Sequence, residues 1–382
     1  MTTKRTWIFA LLAAALTITL ASSNLVLGKG KPGGGDPPHE PLPIEYHLTI
    51  LPSTFGEVFP LSMNNQGEVV GYYEIGESSP DKFRAFYWES GLGQPVDLNA
   101  FLPVDSDWIL ATARGINDAG QVVGYGYVGD DDNRHAFRFT PGDGTNDALV
   151  EDIGTVEVEH VSSDAYGINN NGDMYVEIWK TDGQHYHYLW SNSTGQFDYL
   201  LNVGEIVSLR GMNDDLDVVG WNQTADQYFF FTTESGVTYI PHYEPSDLPA
   251  ECEDINNPGQ ISGKSWFYQK NGRTTKGSAA RYTPGEGVED LGFLGKALAI
   301  NDRGDCVGYS FTNNQSNNVL YLDQSAAEFK LTDLIVSADQ AQDVDLVDGS
   351  LLVDINNEQK ILMWVRIDGS TTKAFVLTPV EQ

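Results

Sequence analysis

The chain is 382 residues long and carries a formal net charge of −32, with 54 Asp and Glu against 22 Lys and Arg. That balance argues against nucleic acid, whose binding needs a cationic face to replace counterions, and against anionic membrane surfaces. Aromatic residues make up 11% of the chain, beside 39 Gly and 17 Pro, a composition suited to many short strands joined by tight turns.

Residues 1–28 predict a signal peptide. Lys4 and Arg5 form a basic start, Trp7 to Leu20 an apolar stretch, and Ala21-Ser22-Ser23 a small-residue cleavage region, with Gly28 as a second candidate. The apolar stretch falls short of the ~20 residues that span a bilayer. Export and cleavage are therefore expected, with no stable membrane insertion afterwards; an uncleaved anchor is the alternative if Leu25 to Leu27 extend the stretch. The mature protein is expected to be secreted, extracellular or periplasmic, and monomeric. Residues 29–43, KGKPGGGDPPHEPLP, read as a Gly/Pro-rich linker.

From residue 44 to 382 one motif recurs: an apolar residue, Asn, two or three turn residues, then an aliphatic pair and often Gly-aromatic. The Asn positions are 64, 117, 169, 213, 256, 301 and 356, spaced 43 to 55 residues apart, near the length of propeller blades, roughly 40–50 residues. Asn at the start of a turn caps it through its side chain, and Gly three residues later accepts a left-handed conformation. This reading covers Asn64 and Gly67, Asn117 and Gly120, Asn169 and Gly172, Asn256 and Gly259, and Asn301 and Gly304. The Gly position after Asn213 holds Leu216 and that after Asn356 holds Gln359, so those two turns are predicted to be rearranged.

An aromatic strand follows each hairpin: Arg84 to Trp88, His135 to Phe139 and Lys373 to Leu377, with weaker copies at Tyr186 to Trp190, Gln227 to Phe231, Ser278 to Tyr282 and Asn318 to Leu322. Large and small side chains alternate along it, as suits a sheet covered on both faces. A third segment, seen in Glu151-Asp152-Ile153-Gly154 and Glu289-Asp290-Leu291-Gly292, completes about four strands per unit. The predicted fold is all-β: a seven-bladed β-propeller of antiparallel strands. The orphan strand Tyr46 to Leu51 is expected to pair with Lys373 to Leu377 and so close the last blade, because an open ring leaves an unpaired edge.

These residues resemble the HAF family of extracellular repeats, whose pattern runs Ala-x-x-Ile-Asn, Gly-x-Val-Val-Gly, His-Ala-Phe, Asp-Leu-Gly. Ala113 to Gly154 follows it almost throughout, with His135-Ala136-Phe137 intact. The resemblance spans about residues 46–380 and implies export and a propeller-like fold. It implies no activity and assigns no residue a role. Many members end in a sorting signal, which the C-terminal TPVEQ does not match.

Cys252 and Cys306 sit where other repeats carry Ala or Val. A disulfide and two buried thiols are both open. His185 and His187 alternate on one strand and so share a face, but no third ligand stands nearby in sequence. The loop Asp130-Asp131-Asp132-Asn133 suggests calcium without EF-hand spacing; no other cofactor is indicated. Acceptor sequences for glycosylation occur at Asn192, Asn222 and Asn314. No serine elbow, His-Glu-x-x-His or phosphate loop is present. Ligand contacts are expected on the loops opposite the Asn-Gly turns, at Trp108, Asp131, Tyr243 and Trp266. The sequence therefore points to an exported, non-catalytic scaffold or binding module for an extracellular glycan or protein. The alternative is a carbohydrate-active lyase or hydrolase on the same fold.

Overall fold

The aromatic strands owe their alternation to neighbours on both sides. Phe86 packs in one apolar cluster with Ala374, and Phe137 packs in another with Ala85. Each Phe thus faces back onto the Ala of the preceding unit, and all four side chains are fully buried. The chain is an all-β β-propeller, seen in a computed structural model. It describes residues 44–380 apart from 53, 77–81, 143–146, 155–159, 204–206, 241–248, 268–276, 313–314, 340–343, 345–346, 348 and 368–370. The leader and linker readings lie outside the described residues. Among those residues no helix is long and apolar enough to cross a membrane.

Hydrogen bonding corrects the expectation of seven separate four-stranded sheets. There are six sheets: four of four strands, one of five and one of seven. The four-stranded sheets begin at Val58–Met63, Trp108–Ile116, His160–Ile168 and Val207–Met212. In the seven-stranded sheet the long strand Gly287–Ile300 pairs through its first part with Ser278–Thr283 and through its second with Cys306–Thr312. Sequence reasoning divided Val288 to Gly292 from the following apolar run, but Gly292 and Gly295 at φ 89° and 158° carry the strand through.

The Asn hairpins form as tight turns in all seven repeats, each with the amide three residues on donating to the Asn carbonyl. Gly67, Gly120, Gly172, Gly259 and Gly304 have φ between 73° and 84°. The two expected rearrangements do not occur. Leu216 and Gln359 take the same left-handed conformation, at φ 62° and 58°, and close the same turn onto Asn213 and Asn356. A local penalty of about 1–2 kcal/mol is outweighed by the inter-repeat contacts described below. At Gly120 an added Cβ meets Pro141 and Glu68 at ordinary contact distance, whereas at Gly304 it meets the Arg281 guanidinium at 2.6 Å. That guanidinium is held by Glu289, Asp323 and the Gly304 carbonyl. Gly120→Ala should therefore cost about 1 kcal/mol and Gly304→Ala clearly more. Urea midpoints in the reverse order would show that the φ values alone set the cost.

The two ends of the described chain meet in the five-stranded sheet. Tyr46–Ile50 lies antiparallel to Thr371–Pro379, with Leu48 opposite Leu377, and its other edge pairs in parallel with Ile335–Ala338. The first pairing was expected; the second was not.

The disulfide alternative is corrected. Cys252 and Cys306 are both free and buried and lie in different apolar clusters. Each replaces a small apolar residue, and burial pushes both thiols well above their ordinary range.

Candidate functional site

Two closed rings of hydrogen bonds surround the propeller axis at the Asn turns. In the first, each motif Asn donates its side-chain amide to the backbone carbonyl of the next motif Asn. The bonds run 64 to 117, 117 to 169, 169 to 213, 213 to 256, 256 to 301, 301 to 356, and 356 back to 64, at 2.8 to 3.3 Å. Each Asn Oδ1 meanwhile accepts the amide four residues on. In the second ring the residue after each Asn donates its backbone N–H to the side-chain Oδ1 of its counterpart in the next repeat, at 2.7 to 3.0 Å. These residues alternate Asn65, Asp118, Asn170, Asp214, Asn257, Asp302, Asn357. Asn amides donate to the second carboxylate oxygen of Asp118, Asp214 and Asp302. The rings line an open depression of about 170 Å³. Its polar atoms are committed to holding neighbours together, so this end is structural.

The innermost strands behave differently a few residues away. Every one of the seven carries an irregularity of register three residues before its motif Asn, at Leu61, Arg114, Tyr166, Arg210, Glu253, Leu298 and Val353. A bulge leaves its residue unpaired and re-aims the side chain. All seven are at least partly exposed and occupy matching positions around the axis, although Tyr166 and Val353 also pack against apolar clusters between sheets. The second Gly of the repeat belongs to this feature. A Cβ on Gly71, Gly124, Gly263 or Gly308 would run into the carbonyl oxygen of Phe59, Thr112, Glu251 or Lys296 on the bulged strand. Sequence reasoning missed these bulges; the recurring Val-Gly before an aromatic was the available signal.

The bulge residues divide the axial wall into two arcs. Leu298, Val353 and Leu61 are apolar and consecutive around the ring. Arg114, Tyr166, Arg210 and Glu253 are polar and consecutive. Arg114 forks onto Asp164 with Nε and Nη2 at 2.7 to 3.0 Å and lies 4.3 Å above the Tyr166 ring. Burial pushes the Asp164 carboxyl up against the opposing pull of Arg114. Lys296 bridges Glu251 and Glu253 at 2.6 and 2.7 Å, and Lys264 reaches Glu251 at 3.0 Å. Burial works to raise the Glu251 carboxyl, but the two ammonium groups outweigh it and leave it lowered. Beside the bulges, Asp254 accepts the amide of Ile300 in the next repeat, and Asp354 accepts that of Met63. Removal from water raises both carboxyls, Asp354 to about 6.

The predicted contact residues are brought together only in part. Trp108 and Asp131 converge on His135. Its Nδ1 lies 2.8 Å from Asp152 and its Nε2 3.1 Å from Asp131, while Trp108 meets the imidazole edge-on, ring centres 6.2 Å apart. Trp266 lies apart from them, just after the strand Ile261–Ser265, with its ring centre 4.9 Å from the Lys264 ammonium. Tyr243 lies outside the described residues, as does Asn314. Asn222 is fully buried and bonded to Tyr239, and Asn192 is bonded to Arg138. His185 is held by Glu177, and the buried His187 by Tyr175. In the acidic loop Asp131 accepts from Asn133. Among the described residues no group of three His, Cys, Asp or Glu is poised to hold a metal.

Both nitrogens of His135 can donate only in the imidazolium form. The hydrogen bond to Asp152 raises its pKa, burial opposes this, and Asp131 adds to the rise. The folded pKa thus lies above the unfolded one. The stabilisation is complete below about pH 6.5 and is lost as pH rises through the folded value. Melting temperature should accordingly fall from pH 6 to 8 more steeply in the native chain than in His135→Gln. Parallel profiles would show that the imidazole stays neutral.

The fold and axial wall define a propeller whose turns are uniform and whose bulge residues are not. No family model and no curated protein matches the sequence. Among solved structures, the β-propeller domain of the Trilobed protease from Pyrococcus furiosus, which has an open velcro topology, is 7% identical. The match covers 86% of this chain and 99% of that one at a TM-score of 0.51. Virginiamycin B lyase from Staphylococcus aureus is 13% identical over 88% of this chain and all of its own, at a TM-score of 0.46. The SapL1 lectin, solved with alpha methyl fucoside, is 13% identical over 72% and 95%, at 0.33. These likenesses concern fold alone.

Proposed function

We propose that the chain is an exported, non-catalytic binding module built from seven HAF-like blades, and that it takes an extracellular glycan or protein ligand at the axial wall. On this reading the seven-stranded sheet is two blades sharing the strand Gly287–Ile300, and the five-stranded sheet is the blade joining both ends. The observation that carries the proposal is the contrast between the two levels of the axis. At the turns, seven copies do the same structural task. At the bulges, seven re-aimed side chains differ in charge and polarity. Glycan and peptide arrays probed with the full exported chain, with and without calcium, test it. Binding that is lost in Tyr166→Ala supports the proposal. A saturable turnover abolished by a single change at Asp164, Glu251 or Glu253 would replace it with the carbohydrate-active enzyme.

A further inference from the structure

We propose that the polar arc of the axial wall recognises the carboxylate of an acidic sugar, so that the ligand is a uronate-bearing glycan; this rests on the binding reading above. In a chain with 54 acidic side chains and 22 Lys and Arg, cations are scarce, yet Arg114, Arg134, Arg210, Lys264 and Lys296 stand on or beside this arc. Three of them are spent. Arg114 is locked to Asp164, and Lys264 and Lys296 are locked to Glu251 and Glu253. Two are not. The exposed Arg134 guanidinium lies 4.4 Å over the Tyr125 ring and makes no hydrogen bond or ion pair among the described residues. Arg210 has 42% of its side chain exposed, and its nearest carboxylate oxygen, on Glu253, is 3.7 Å away, beyond hydrogen-bond length. The other Glu253 oxygen already takes Lys296 and the Tyr228 hydroxyl.

A guanidinium with its hydrogen-bond donors unspent presents a planar fork that fits a carboxylate in two-pronged fashion. Arg210 holds that fork on a bulge, next in the ring to Tyr166 and facing the apolar arc of Leu298, Val353 and Leu61. A pyranuronate carries its carboxylate rigidly beside apolar C–H faces, and so matches both halves of the wall at once. An acidic peptide offers the carboxylate on a flexible stem and brings backbone amides that need acceptors, while Glu251, Glu253 and Asp164 are already paired.

The test is titration calorimetry of the full chain with trigalacturonic acid, neutral galactotriose and triglutamate. Trigalacturonate is expected to bind at least about tenfold more tightly than either other probe, and Arg210→Gln to lose at least about tenfold of that affinity. Arg210→Lys should fall between. Arg210 is exposed, so its variants should keep the native circular dichroism and melting temperature. Equal binding of the neutral sugar, equal binding of triglutamate, or unchanged affinity in Arg210→Gln overturns the acidic-sugar assignment. If arrays then find another ligand that Tyr166→Ala abolishes, the binding module stands without it. If nothing binds at the wall, both readings fall.

Discussion

Asn301→Ala should cost the fold about 2–4 kcal/mol, because it strands the buried Asp305 amide at about 1–3 kcal/mol and the less buried Arg303 amide at the low end of that range. Asn301 is 3% exposed. Its Oδ1 accepts from the amides of Arg303 and Asp305, and its Nδ2 donates to the Asn356 carbonyl and to Asp305. The Asn356 carbonyl keeps a second donor, the Gln359 amide, so the two orphaned amides dominate the loss. Asn301→Asp sharpens the test. It keeps both acceptor contacts and the shape but sets an oxygen against the Asn356 and Asp305 oxygens, at 3.1 and 3.3 Å. At neutral pH it should be as damaging as the Ala variant, and acidification to about pH 4 should relieve it by restoring a donor. Asn257→Ala, in the exposed second ring, should cost far less. Equal urea midpoints for Asn257→Ala and Asn301→Ala would mean that the buried ring does not hold the repeats together.

The turns were legible in the sequence because their defining contacts are local: Asn caps the amide four residues on, and Gly supplies the left-handed residue. The rings were not, because each closing bond joins residues 43 to 55 positions apart, or 292 positions apart at Asn356. One signal was available, since the residue after each motif Asn is Asn or Asp in all seven copies. Leu216 and Gln359 show local propensity losing to this closure: their turns bond Asn213 forward to Asn256 and Asn356 forward to Asn64, which fixes the backbone whatever residue stands there. The shared strand Gly287–Ile300 escaped notice because Gly292 and Gly295 look like a break between two segments. Of the expected contact residues, Trp108 and Asp131 come together through His135, an aromatic-strand residue. The polar arc was invisible for another reason: a bulge changes where a side chain points without changing the apolar period that sequence reading follows.

Leu48→Asp should abolish cooperative folding altogether. Leu48 is fully buried in a cluster with Leu331, Leu334, Phe375 and Leu377, which draws on chain segments more than 280 residues away. Truncating such a leucine costs about 2–5 kcal/mol; adding an unpaired buried charge costs several more. A domain's whole stability is of order 5–15 kcal/mol, so the combined loss reaches that scale. The position of the strand makes the effect global. Tyr46–Ile50 lies inside its sheet, between Ile335–Ala338 and Thr371–Pro379, so its loss would strip hydrogen-bond partners from both neighbours and leave an open edge. Tyr46 also donates its hydroxyl to the Gln359 carbonyl, tying this strand to the seventh turn and hence to the buried ring. Ile50→Asp, at a partly exposed position on the same strand, should unfold cooperatively with a lowered midpoint. If Leu48→Asp melts in one transition near the native temperature, the N-terminal strand does not close the propeller.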